Sequence, residues 1–208
     1  METLTAIANR KTIRDFENRE IPREVIEKII TAGVQAPSNN HMREWEFVLL
    51  EDRDMRRALL NEIINPLDKK GALAIINRWG MKDTDQREMY LDAIPKQYAM
   101  LNDAACLILP CFKQESPLLK PKTLSALNGF ASIWMCIENM FIAAADHGVY
   151  GVVRIPMDDE KKIVKDKLQI PPNYEIPCFV ALGYPAENAR RARQVEIDIK
   201  SKIHTDKW

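Results

Sequence analysis

Apolar and polar positions change period several times along this chain, and each change marks an element. Val25, Ile26, Ile29, Ile30 and Val34 recur at spacings of three and four, which predicts an amphipathic helix. Pro22 opens it, and Ala36-Pro37 ends it because a residue before proline avoids helical geometry. Leu4 to Ala8 predicts a shorter helix ahead of it. Trp45 to Leu50 is aromatic and apolar, bounded by Glu51-Asp52, and predicts a strand; Arg53 to Ile64 returns to helical spacing. Ala104 to Phe112 is a continuous apolar run, expected as a strand buried on both faces. Leu124 to His147 is the longest helical segment. It is apolar nearly all round, through Ile133, Trp134, Met135, Ile137, Met140, Phe141 and Ile142, and is expected to be buried. Gly148 closes it as a C-terminal glycine, and Val149 to Val153 predicts a short strand. Asp158-Asp159-Glu160 suits the start of a helix running to Leu168, and Cys178 to Leu182 is the last strand.

Two regions are less regular. Residues 66–102 are charged and broken at Gly80 and Pro95, which predicts helices forming a variable cover. Residues 185–208 form a tail in which Val195, Ile197 and Ile199 alternate, the pattern of an extended arm able to pair with another subunit's sheet. Strands and helices alternate with no repeat, Gly/Ser linker or low-complexity tract. The expectation is one α+β domain over residues 1–208.

Composition narrows the function classes. Hydrophobic residues make up 46% of the chain with only 7 glycines, which suits a well-buried core. Its 30 basic and 30 acidic side chains cancel, so no global field draws it to nucleic acid or to an anionic membrane, and any anion site must be local. Met1 to Thr5 lacks the basic and apolar regions of a signal peptide. No run of about 18 apolar residues stands out, so a cytoplasmic location is expected. Cys106 and Cys111 lie on opposite faces of one predicted strand, and Cys136 and Cys178 sit singly in apolar segments; all four are expected to pack as reduced, buried thiols. Neither the cysteines nor His41, His147 and His204 show metal-ligand spacing.

The candidate chemistry lies near the N-terminus. Arg10-Lys11-Thr12-Ile13-Arg14 puts two guanidiniums, an ammonium and a hydroxyl within five residues, which suits a phosphate because arginine stays charged and offers planar N–H donors. Ala36-Pro37-Ser38-Asn39-Asn40-His41 follows as a polar loop at a helix end, then Trp45-Glu46-Phe47. Taken singly, a pair of arginines is an ordinary solvated helix face and the loop an ordinary terminator. In this order, and with Gly183-Tyr184-Pro185-Ala186-Glu187 near the C-terminus, they resemble the nitroreductase family of flavoenzymes over nearly the whole chain.

The resemblance implies a nitroreductase-like fold: a central mixed or antiparallel sheet flanked by helices, a long buried central helix, and an intertwined homodimer. It implies FMN, with Arg10, Lys11, Thr12 and Arg14 gripping the phosphate and the pyrimidine edge, Thr12 standing where the family more often has serine. Pro37, Ser38 and Asn39 match the loop that runs under the flavin from the neighbouring subunit. The chain departs from the family pattern there: the usual asparagine falls at His41, the glutamine at Arg43, and the proline before tryptophan at Glu44, with Asn40 as a nearby substitute. Arg191-Ala192-Arg193 matches a second basic pair after the Gly-Tyr-Pro segment, although Arg190 to Arg193 read alone is a solvated charge run.

Gly148 to Pro156 corresponds to the segment whose backbone faces flavin N5. Pro156 has no N–H, which leaves Arg154 or Ile155 as donor, and the Arg154 side chain either reaches over the ring or forms a structural salt bridge. No acid, base or nucleophile is evident, and His41 is either a proton relay or a structural or flavin-contacting residue. Hydride transfer needs mainly orientation and an open ring face. The implied activity is therefore ping-pong: NAD(P)H as co-substrate, and a small-molecule electron acceptor such as a nitroaromatic, a quinone or an activated alkene. Reductive dehalogenation, flavin breakdown and a noncatalytic flavin-binding sensor are the alternatives.

Overall fold

The computed structural model describes residues 2–208. Its chain order is helix α1 (Thr3–Asn9), α2 (Arg23–Val34), strand β1 (Trp45–Leu49), α3 (Arg53–Ile63), α4 (Lys69–Arg78), α5 (Thr84–Ala93), α6 (Gln97–Asn102), β2 (Cys106–Lys113), α7 (Asn128–Asp146), β3 (Tyr150–Arg154), α8 (Asp158–Lys167), β4 (Tyr174–Glu175) and β5 (Phe179–Gly183), with short 3-10 turns at Asn39–His41, Leu124–Leu127 and Ile199–Lys202. The sheet runs β1-β2-β5-β3, every ladder antiparallel, and β4 pairs with the far end of β2. Pro110, which lacks an N–H, sits where the partner of β2 changes from β5 to β4, a place where the missing donor interrupts no ladder on that side.

Alternation along β2 builds two cores. Leu107, Leu109 and Cys111 face α3, α6 and α8 through Leu59, Leu60, Leu101 and Val164; Cys106, Ile108 and Phe112 face α2 and α7 through Ile29, Ile133, Ile137 and Met140. The domain is thus three layers, with helices on both faces of the sheet. The helices start where the sequence supplies caps. Asp52 accepts from the N–H of Asp54 and Met55, Asp68 from Gly71, and Asp83 from Gln86. Gly148, at φ 68°, ends α7, and Val149 N–H donates to the Ala144 carbonyl beyond it. Gly33 lets α2 lie against α7, since a Cβ there would stand 2.6 Å from Met140 Cγ.

Two expectations change and one, the helical cover, stands. The cover over residues 66–102 is α4, α5 and α6, broken at Gly80 and Pro95 as expected, with its own small core of Ala72, Ile76 and Ile94. α7 is buried on one side only: Ile133, Cys136, Ile137 and Met140 are core, whereas Ala131 and Met135 are exposed and Trp134 is half-buried. Together with the turn before it, Leu124–Asp146 is long and apolar enough to cross a bilayer by composition, mean hydropathy 1.2, yet here it is the helix that packs on α2 and the sheet. The arm beyond Glu187 is not a strand but irregular chain ending in a 3-10 turn, and it leaves Val195, Ile197, Ile199 and Ile203 exposed. The four cysteines are free and buried, and burial pushes the thiols of Cys106, Cys111 and Cys136 up to about 12.

Candidate functional site

The basic segment is held as an extra strand fragment at the open edge of the sheet. Ile13 N–H donates to the Gly151 carbonyl at 3.1 Å, and Thr12 bridges Gly151 in parallel, beside antiparallel ladders. Further along, the segment pairs with the chain after β5: Ala186 N–H donates to Asp15 O at 3.0 Å, and Glu17 N–H to Tyr184 O at 2.9 Å. Ile13 is driven into the core, 1% exposed, so its neighbours Thr12 and Arg14 turn the other way by strand alternation. Arg10, Lys11, Thr12 and Arg14 then line one cavity of about 260 Å³, together with Gly151, Val152 and Val153 of β3 and Trp134, Ile137, Glu138 and Phe141 of α7. Gly151 is required by close approach: a Cβ there would meet Ala181 O at 2.3 Å and Phe141 Cε1 at 2.8 Å.

The cations of this cavity are poised unequally. Arg10 Nε is 3.1 Å from Glu138 in a half-exposed pair. Arg14 is more shielded, and the hydrogen bond its guanidinium makes is to the sulfur of Met89 at 3.5 Å, a weak acceptor. Burial lowers the Arg14 pKa, opposed by Asp92, Asp15 and Tyr90. A desolvated guanidinium with a soft partner gains most from a charged oxygen placed beside it. From Val152 onward the outer edge of β3 carries no ladder among the described residues, and Val152 and Val153 line the cavity.

The Pro37-Ser38-Asn39-Asn40-His41 loop is elsewhere. Asn39 N–H donates to Ser132 Oγ at 3.0 Å, Asn128 Nδ2 donates to Asn39 Oδ1 at 3.3 Å, and Arg43 N–H donates to Ser38 Oγ at 3.1 Å. These bonds hold a backbone in which Asn40, His41 and Arg43 all have φ between 50° and 55°, a conformation costing each non-glycine residue about 1–3 kcal/mol. Ser38, Asn39 and Asn40 line a second cavity of about 460 Å³ with Arg43, Glu44, Trp45 and the Phe112–Ser116 segment. His41 is exposed beside it, and Pro37 is exposed at the end of α2. The ion pair Lys113–Glu44 at 2.6 Å fixes one wall, so Glu44, at the position of the family's proline, has a structural partner.

Of the other candidate residues, Arg154 is the buried one. Its guanidinium makes a bidentate pair with Glu160 at 2.8 and 2.7 Å and donates to Gln97 at 3.2 Å, and Glu160 also accepts from Met157 N–H. The salt-bridge alternative is the one realised, and the option of this side chain reaching over a ring is corrected. Ile155 follows at the end of β3, 65% exposed. Arg191 and Arg193 stand on the exposed arm rather than in the Arg14 cavity, with Arg193 3.8 Å from Asp85. Arg10, Lys11, Thr12 and Arg14, grouped by sequence reasoning, line one cavity. That reasoning missed Asn128, Ser132 and Glu138, whose signal was their polarity within an otherwise apolar helix; it missed Asp92, which nothing in its own segment set apart, and it read Glu160 only as an acid at a helix start.

The match to the nitroreductase family model spans residues 7–184, and the chain belongs to that family. An iodotyrosine deiodinase of Haliscomenobacter hydrossis is 28% identical over 186 residues, covering 87% of this chain and 78% of the relative. Among solved structures, an iodotyrosine deiodinase bound to FMN and 3-iodo-L-tyrosine superposes with a TM-score of 0.74 at 16% identity, covering 99% of this chain and all of that one. An FMN-dependent nitroreductase from Clostridium difficile gives 0.65 at 18% identity, covering 99% of both chains. At these identities the structural likeness establishes the fold: helices around an antiparallel sheet.

Proposed function

We propose that the chain is an FMN-dependent oxidoreductase that takes electrons from NAD(P)H and delivers them to an electron-poor small molecule, a nitroaromatic, a quinone or an activated alkene, in alternating half-reactions. The observation that carries this reading is the convergence of Arg10, Lys11, Thr12 and Arg14 on one cavity beside the unladdered edge of β3. The donor set fits the cofactor. The two guanidiniums and Thr12 suit a phosphate dianion, and the β3 backbone beyond Gly151 offers main-chain donors to a heterocycle edge. FMN supplies the two-electron chemistry when bound. The protein's part is to bind, orient and shield: Arg10 and Arg14 hold the anion, Trp134 and Phe141 wall the cavity, and the Ile155 N–H stands at the strand end as a donor.

The unit that works is a homodimer. Ser38 and Asn39 line a different cavity from the basic segment of their own chain, and α7 exposes Ala131 and Met135, so a second copy that brings its loop to the first copy's grip accounts for both features. A second reading, reductive removal of halide from a halogenated aromatic, is favoured by the deiodinase relative. Steady-state assays separate the readings: NAD(P)H oxidation coupled to a quinone supports the first, halide release from reduced protein with poor NAD(P)H use supports the second, and flavin binding without turnover of either kind leaves a noncatalytic flavin protein.

A further inference from the structure

α5 carries Asp85, Glu88 and Asp92 at spacings of three and four, and the basic segments from both ends of the chain come to it. Arg193 lies 3.8 Å from Asp85, and Arg190 lies 3.3 Å from Glu88 and 4.0 Å from Asp92. Lys96 Nζ contacts Asp92 and Asp15, each at 2.8 Å. Arg14 rests on Met89, less than one turn before Asp92, and of the charges acting on its guanidinium that of Asp92 is the strongest. Exposed pairs such as Arg190–Glu88 are individually weak. Asp92 differs because its side chain is only 15% exposed and cations from the cover and the arm share it, with a third from the grip close by.

Resting on the FMN reading above, we propose that Asp92 is a positioning residue of the phosphate grip: it holds Lys96 and Arg190 around Arg14, so that the cations are already arranged when a phosphate arrives. Two effects oppose each other here, and their balance gives the proposal a sign. As a nearby negative charge, Asp92 repels a phosphate, and if that field dominated, its removal would tighten FMN binding. As the shared counter-ion, its removal leaves Arg14, Lys96 and Arg190 repelling one another, and binding weakens because the donors must be gathered at the moment of association.

The test is equilibrium titration of the full-length protein with FMN and with riboflavin, which lacks the phosphate, for wild type, Asp92→Asn and Asp92→Glu. Asp92→Asn is expected to lose about tenfold in FMN affinity and to keep its riboflavin affinity, while Asp92→Glu recovers most of the loss. An Asp92→Asn protein that binds FMN as tightly as wild type, or more tightly, overturns the proposal. Equal losses for both flavins also overturn it, because a general distortion does not discriminate a phosphate. Wild-type protein that binds neither flavin removes the FMN reading, and this proposal with it.

Discussion

Asn39 donates its backbone N–H to Ser132 Oγ at 3.0 Å, in the second turn of α7, whereas Arg10 meets the same helix at Glu138. Six residues separate the two contacts, about 9 Å along the axis and about 120° around it. The polar loop and the basic grip of one chain therefore approach different sides of α7 and open into different cavities.

That separation predicts a dimer in which each site takes its grip from one chain and its loop from the other. Light scattering at micromolar concentration should give about twice the 24.0 kDa chain mass. Deleting the residues after Asn188, with their exposed Val195, Ile197, Ile199 and Ile203, should weaken both the dimer and FMN binding. A stable monomer that holds FMN normally contradicts the shared site.

Arg14→Ala should weaken FMN binding without unfolding the chain. The guanidinium is desolvated and its hydrogen bond goes to a thioether, so removing it leaves no strong acceptor stranded. A lost charge-assisted phosphate contact costs about 1.5–3 kcal/mol, or roughly ten- to a hundredfold in affinity. Flavin fluorescence titration measures the affinity and thermal unfolding the fold. Unchanged FMN affinity would move the phosphate away from this residue.

Arg154 and Glu160 make the opposite prediction, a loss of stability first. Both are buried, and each is the other's main partner. Glu160→Ala leaves a buried guanidinium with only Gln97 and should cost about 3–5 kcal/mol, measured by urea denaturation. The double change Arg154→Met with Glu160→Leu should cost less than Glu160→Ala, because no unpaired charge remains. If it costs more, the pair does more than satisfy itself.

These contrasts show where the sequence was legible. Helix α2 and strand β2 follow from local periodicity and punctuation, and the glycine closing α7 from its position after an apolar run, because burial on one or two faces imposes a pattern along the chain itself. The grip was legible as composition in five consecutive residues. The partners that matter to it were not: Glu138, Asp92 and Lys96 stand far away in sequence and are brought near by the sheet and the cover, a relation no local window contains. The apolar circumference of α7 was legible as more than one domain covers, an excess expected to meet a second copy, and within one chain only one side of it is buried. Arg154 had two open readings, and the choice depended on Glu160, whose side chain was legible only as an acid at a helix start.

A related prediction concerns His41, the histidine nearest the loop. It is exposed, at φ 55°, and does not line either cavity of its own chain. His41→Ala should leave flavin reduction by NAD(P)H within about tenfold of wild type, since orientation and electrostatics dominate that step. Stopped-flow bleaching of the flavin decides it. A loss of a thousandfold with FMN still bound makes His41 a participant.

The most direct measurement is an anaerobic absorbance titration of the purified protein, reconstituted with FMN, first with NADH or NADPH and then with a quinone. The account predicts tightly held flavin, bleached by at least one nucleotide and restored by the quinone. Protein that stays colourless and takes up no FMN, or bound flavin that neither nucleotide reduces, would contradict it.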